Sequence, residues 1–416
     1  MKKIVLSIAA VMASAAFAPE ASALPAFARQ TGMACSACHF QKFPVLNSFG
    51  RAFKAAGYTM MGAQGKIEGE HLSIPDALNA AILAKVRYQK SNGPRTVQVA
   101  GITSNGTNDG MLQFGDEFSL FFGGRVAENI GFLFEGNTAA VGGALLAGFK
   151  LPVSFDVGGA KLSVVPFTTD ALGAMYGYEL SSGGVMRANR WAEHRTETSA
   201  VQYVNVAQAT TGVTVAAQND MGYITATKFA PAFAMGANGG GVPSYDMKNS
   251  YFRIAATPTV GDWSMIVGAG SFSGTSAIGL ALGETRATFF DLQAHGELGG
   301  NEMGVYVQHG TAPASTLVTA NMFNGGLNAR KAMTIGVDYS VIPHALHVGA
   351  AYRNAKTGGA AGVDGDNAIT LTAVYDLTQN VALHLNHSSY SGSFRGNAVG
   401  QNPITALTTF MLEAAW

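Results

Sequence analysis

The chain has 416 residues, with 26 basic and 26 acidic side chains and a formal net charge of zero; 48% of residues are hydrophobic and only 12% are charged. The charged share is about half that of an ordinary globular domain, and 52 glycines are an enrichment. This balance, with no apolar block long enough to cross a membrane as a helix after the first residues, excludes a helical membrane protein and suits strands that face lipid on one side and a polar lumen on the other; nucleic acid is not an expected partner.

In chain order, Lys2 and Lys3, the apolar run from Ile4 to Phe17, and Ala21-Ser22-Ala23 read as a secretory signal peptide over residues 1–23. Next comes Cys35-Ser36-Ala37-Cys38-His39, which holds the only two cysteines. C-x-x-C-H is the attachment signature of a c-type haem: two thiols add across the haem vinyl groups and the adjacent imidazole ligates the iron. A disulfide is the plain alternative, and zinc would need further Cys or His ligands that the neighbourhood lacks. Residues 24–72 therefore read as a small α-helical monohaem cytochrome head carrying one covalent haem c.

Pro44 to Gly57 is predicted as a helix, with Leu46, Phe49, Phe53 and Ala56 on one apolar face that a flat porphyrin could cover. For the second axial ligand Met60 and Met61 are the leading candidates, ahead of Met33, with His71 as the bis-histidine alternative. Residues 24 to 67 contain Arg29, Lys42, Arg51, Lys54 and Lys66 and no acid, whereas the chain beyond is net acidic. Opposite fields of this kind favour docking of the head on its own barrel or on an acidic partner; the competing reading is that Arg51 and Lys54 neutralise haem propionates. A head this small needs cofactor or barrel wall to complete a core.

From residue 77 to 416 the hydrophobic pattern has period two, as Ala80, Ile82, Ala84, Val86 and Tyr88 against Lys85, Arg87 and Gln89 show. Strands are predicted over 77–91, 113–126, 130–137, 149–157, 161–168, 199–208, 212–228, 251–258, 262–272, 286–298, 301–310, 331–341, 345–355, 367–376, 380–391 and 408–416. That makes about sixteen, the even number a bacterial barrel requires, with tight turns alternating with long Gly/Asn/Ser/Thr-rich loops. Asn219-Asp220-Met221-Gly222 is the weak point: a turn there would spoil the parity unless another strand is lost. The fold class is therefore all-β, a transmembrane antiparallel barrel with a small helical head, and the final Phe410-to-Trp416 segment has the alternating aromatic ending common in outer-membrane barrels. Inward candidates by parity are Lys85, Arg87, Glu117, Arg125, Glu135, Asp291, His295, Glu297, Glu302, Asp338, His347, Arg353 and His384. Asp291, His295 and Glu297 on one strand face could meet a divalent iron ion transiently.

Ala26-Phe27-Ala28-Arg29-Gln30-Thr31-Gly32-Met33-Ala34, the Cys35-to-Phe40 motif, and then Phe43-Pro44, Leu46-Asn47, Phe49-Gly50-Arg51 and Phe53-Lys54 closely resemble the fused monohaem cytochrome-porins, outer-membrane iron oxidases of Fe(II)-oxidising bacteria. The resemblance is specific over residues 26 to 62 and generic over the barrel. It implies that extracellular Fe(II) gives an electron to a haem in or under a sixteen-stranded porin, and that a periplasmic carrier such as a soluble c-type cytochrome takes it onward. It also implies that Cys35 and Cys38 attach the haem and that His39 is the proximal ligand; the distal ligand is not fixed by the motif. Other readings are a diffusion porin whose haem head is a plug, gate or sensor, and a peroxidase-like enzyme with an open iron position. No Ser/His/Asp, Walker or Rossmann signature stands out.

Overall fold

The computed structural model describes residues 25–93, 110–138, 145–181, 199–233, 247–278, 281–316, 318–396, 398 and 401–416. The expected signal peptide lies outside them. Sixteen antiparallel strands close into a barrel: β1 (Ala80–Ser91), β2 (Met111–Ala127), β3 (Ile130–Asn137), β4 (Leu146–Lys150 with Val153–Val157), β5 (Ala160–Thr169), β6 (Thr210–Asn219), β7 (Gly222–Ala230), β8 (Asn249–Ala256 with Thr259–Val260), β9 (Trp263–Ser273), β10 (Ala287–Leu298), β11 (Asn301–Ala312), β12 (Arg330–Ile342), β13 (Leu346–Lys356), β14 (Asn367–Thr378), β15 (Val381–Ser391) and β16 (Ala406–Ala415). The interruptions in β4 and β8 fall at Pro152 and Pro258, which lack the N–H a ladder needs. β16 pairs with β1 from Leu407 opposite Ser91 to Ala415 opposite Leu83, which leaves no edge. Trp416 extends the seam by exchanging backbone hydrogen bonds with Ile82 at 2.8 and 3.0 Å.

The strand count matches expectation through two compensating departures. Residues 212–228 are two strands, β6 and β7, because the Asn219 side chain accepts hydrogen bonds from the Met221 and Gly222 amides and turns the chain there. Residues 199–208 form no barrel strand. They carry a single helical turn, Ala200–Tyr203, capped by the Ser199 hydroxyl, and fold inward. Tight turns at 158–159, 261–262, 299–300 and 343–345 share one end with the start of β1 and the end of β16; the long connections share the other.

Outward positions stay apolar and exposed around the wall, among them Val215, Ile254, Val267, Phe290, Ile335, Ile369, Leu371, Leu385 and Phe410. Inward positions are buried and largely polar, including Lys85, Arg87, Asp291, His295, Asp338, His347, Arg353 and His384, as parity predicts. An apolar outside around a polar inside is the reverse of a soluble domain and matches a lipid-facing barrel.

The inside is filled from both ends. Near the long loops, Met175, Val201, Val204 and Val206 pack against Phe229, Tyr251, Phe272, Phe289 and Phe323. Deeper in the lumen, Arg253 binds Asp291 through two hydrogen bonds (2.6 and 3.0 Å) and Glu179 at 2.8 Å, and the Tyr223 hydroxyl donates to Glu179 at 2.6 Å. At the tight-turn end, the segment from Pro25 onward occupies the barrel's mouth.

Candidate functional site

Three short helices build the head: α1 (Pro25–Thr31), α2 (Cys35–Cys38) and α3 (Ser48–Ala55). α3 starts later than predicted, because Asn47 and not Pro44 begins it; the Asn47 side chain accepts from the Gly50 amide at 2.9 Å. Gly57 takes φ +68° just past its end, as the sequence suggested. Phe27, Phe53 and Tyr58 form a ring cluster, with Phe27 stacked on Tyr58 at 4.9 Å and edge-on to Phe53 at 5.1 Å. Phe53 and Ala56 are buried, whereas Phe49 remains exposed. A side chain at Gly50 would collide with the Cys38 carbonyl, so the missing Cβ is what lets α3 lie directly on the cysteine turn.

The head is fastened to inward-facing barrel groups. The Lys42 ammonium pairs with the Asp338 carboxylate at 3.1 Å with both side chains shielded from solvent, and the Gln41 amide donates to the Glu302 carbonyl at 2.9 Å. Phe40 stacks on His295 at 4.2 Å, and His295 in turn meets the Tyr306 hydroxyl at 3.1 Å. The Arg51 guanidinium donates to Ser264 at 2.5 Å and to Ser48 at 3.1 Å. Gln30 joins both parts, donating to the Tyr58 and Met60 carbonyls and accepting from the Arg125 amide. Gly131 in β3 would need to clear the Gly57 carbonyl if it carried a Cβ, so the barrel wall is cut back where the head leans on it. These contacts dock the basic head on the barrel, one of the two readings of its charge.

Cys35 and Cys38 stand on one helical turn as free thiols, with His39 as the cap that follows. Asn47 holds that turn by donating to the Ser36 and Ala37 carbonyls, and the Cys35 amide donates to the Gln379 side chain at 3.0 Å. His39 Nδ1 lies 3.3 Å from the Val45 carbonyl. A carbonyl can only accept, so Nδ1 is the donor in this contact, and Nε2 is the nitrogen left for other partners. Burial pushes the Cys35 thiol up to about 12, with the nearby Asp376 charge adding to it, and burial raises Cys38 as well. Both are neutral thiols at ordinary pH.

Cys35 and His39, but not Cys38, line an open cleft between head and barrel, together with Lys42, Phe43, Glu302, His344, Asp376, Gln379, His384 and Glu413. Two thiols on one helical turn and the imidazole that follows them are the donor set that would hold a covalently attached haem. The structure does not bring Met60, Met61, Met33 or His71 to the cavity lining, and neither Arg51 nor Lys54 lines it. Sequence reasoning missed the barrel's share of the site, His344 and Asp376 above all, because no local motif links residues three hundred positions away to Cys35.

Asp291, His295 and Glu297 do not assemble into an iron site: Arg253 holds both oxygens of Asp291, His295 is stacked against Phe40, and Glu297 is exposed at the rim. Among the described residues no three His, Cys, Asp or Glu side chains are placed to hold a metal ion.

Among solved structures the chain is similar to outer-membrane porins. A variant of the Rh. blastica porin aligns at 12% identity and a TM-score of 0.48, covering 82% of this chain and 100% of that one. A loop-deletion variant of OmpT, an outer membrane protein of Vibrio cholerae, aligns at 13% identity and a TM-score of 0.46, covering 82% and 99%. No family model and no curated protein matches.

Proposed function

We propose that this porin-like barrel resides in the bacterial outer membrane and conducts electrons inward, oxidising extracellular Fe(II) at a haem c bound by Cys35, Cys38 and His39 and delivering the electron to a periplasmic carrier. The observation that carries the reading is the cysteine turn followed directly by His39, with Cys35 and His39 on one cleft against the barrel at the tight-turn end, the rim that is periplasmic in bacterial barrels. A haem c held there supplies a one-electron couple. The chain does the rest. Val45 fixes the imidazole, Gln379 and Asn47 hold the cysteine turn, and Lys42 with Asp338 keeps the head seated in the mouth.

The packing of the lumen among the described residues favours a conduit over an open pore. Aromatic groups stand along the way: Phe40, His295 and Tyr306 near the head, then Phe289, Tyr251, Phe272 and Phe323 toward the long loops. Ferric iron precipitates near neutral pH, so removing the electron while leaving the ion outside spares the periplasm from mineral. Stopped-flow mixing of the oxidised protein with Fe(II), followed at the reduced haem band, tests the assignment: reduction within seconds supports it, and no reduction removes Fe(II) as donor. The alternative, a diffusion porin with the head as plug or gate, shares the barrel architecture. It predicts measurable ion conductance with the head in place.

A further inference from the structure

We propose that the outward face of the barrel at its long-loop end binds the phosphate groups of an outer-leaflet lipid, through Lys331 and Lys356, with Lys90 further along the same rim. The proposal rests on the outer-membrane placement of the barrel and is independent of the haem reading. Alternation along each strand fixes which way these side chains leave the wall. Lys331 on β12 is in step with the exposed Met333 and Ile335, Lys356 on β13 with Asn354 and Tyr352, and Lys90 on β1 with Tyr88. All three lysines are exposed, on the membrane side and not in the lumen.

Lys331 and Lys356 stand directly opposite each other in the register of β12 and β13. Cβ atoms across such a pair lie about 5 Å apart, and like charges in that position destabilise a sheet. Lys356 has a counter-charge in Asp364, 3.5 Å from its ammonium, whereas neither Lys331 nor Lys90 has an acidic partner among the described residues. One phosphate between the two ammonium groups removes the repulsion with charge-assisted hydrogen bonds. Further down the same two strands the outward side chains are Ile335, Val337, Ala350 and Val348. Cations above an apolar wall match a lipid's own order, with headgroup charge at the bilayer edge and acyl chains beneath it.

The polar row continues round the seam. His387 on β15 and Thr408 on β16 both face outward, 2.9 Å apart, and Thr408 is in register with Lys90. Lys90 is four strand spacings from Lys356, roughly 19 Å along the wall, so it would meet a second phosphate and not the same one. From β12 round to β1 no acid occupies an outward strand position at this end among the described residues. The opposite rim has the other sign, with Glu128, Asp156, Asp220, Asp262 and Glu297 all exposed. Solubility asks only for charge at each rim; cations confined to this arc of the long-loop rim fit an anionic lipid surface.

The test uses the full chain purified from membranes, with diphosphoryl lipid A and the same lipid stripped of its phosphates as probes. Lipid retained through repeated detergent exchange is counted by native mass spectrometry. The parent is compared with the double variant Lys331→Gln, Lys356→Gln and with Lys161→Gln at the opposite rim, and heat-modifiable gel mobility verifies that each barrel is closed. The parent should retain the phosphorylated lipid about tenfold better than the stripped one. The double variant should lose that preference, and Lys161→Gln should keep it. Equal retention of both lipids by the parent overturns the proposal without any variant having to fold, and so does an unchanged preference in the double variant. Displacement of the lipid by inorganic phosphate overturns it too, because a site for the free ion needs no acyl chains. Recovery of the parent in the outer-membrane fraction checks the placement separately, so the two failures are distinguishable.

Discussion

Replacing Lys42 by Met should loosen the head from the barrel far more than a surface ion pair could. The pair with Asp338 is 3.1 Å long, and the two side chains are only 1% and 0% exposed. Lys42→Met leaves the aliphatic stem in place and strands a buried carboxylate, a change that costs about 3–5 kcal/mol. Asp338 keeps another interaction, which points to the lower end of that range. At about 3 kcal/mol the undocked fraction rises roughly a hundredfold, since each 1.4 kcal/mol is a factor of ten. Limited trypsin digestion in detergent measures it, because cleavage after Arg51 or Lys54 follows the population of the open form when redocking is fast. Converting both partners to apolar residues, Lys42→Met with Asp338→Leu, should recover most of the protection, since an apolar pair replaces a buried ion pair at little cost. The reasoning fails if Lys42→Met is cut no faster than the parent, or if the double variant is cut faster than either single one.

Three further outcomes follow from other parts of the molecule. Leu371→Arg puts a charge on the outward face of β14 and should lower folding stability in lipid vesicles by about 2–4 kcal/mol, whereas Leu371→Phe should leave it nearly unchanged; heat-modifiable gel mobility reads the folded fraction. Gly131→Val places a side chain against the Gly57 carbonyl and should push the head outward, raising single-channel conductance in planar bilayers above that of the parent. In protein produced without haem, partial burial keeps Cys35 protonated, so its alkylation by iodoacetamide should be very slow at pH 7 and speed up about tenfold per pH unit toward a Cys35 value of about 12; a rate that levels off near pH 8 to 9 would contradict the half-buried placement of that thiol.

The barrel was legible because a period-two pattern maps directly onto a wall with lipid outside and polar groups inside, and Ile369, Leu371 and Leu385 fall outside while Thr370, His384 and Asn386 fall inside as their sequence parity requires. What was not legible came from segments that leave the wall. Residues 199–208 alternate like a strand, yet Val201 and Val204 are recruited into the apolar cluster within the lumen, where Phe229, Tyr251, Phe272 and Phe289 already occupy inward positions. Those inward aromatics were the available signal, since a water-filled channel gives them no reason to be there. In the head, the cysteine-histidine motif and the glycine after α3 were readable locally. The pairing of Lys42 with Asp338, the Phe40–His295 stack and the barrel's contribution to the cavity depend on closure of the whole sheet, and no short stretch encodes them.

The most direct test is mass spectrometry of the exported, purified protein after proteolysis. The account predicts that the peptide containing Cys35, Cys38 and His39 carries the mass of one haem through two thioethers, and that Cys35→Ala with Cys38→Ala loses it while the barrel still folds. Recovery of that peptide with two unmodified thiols or a simple disulfide would contradict the account at its centre.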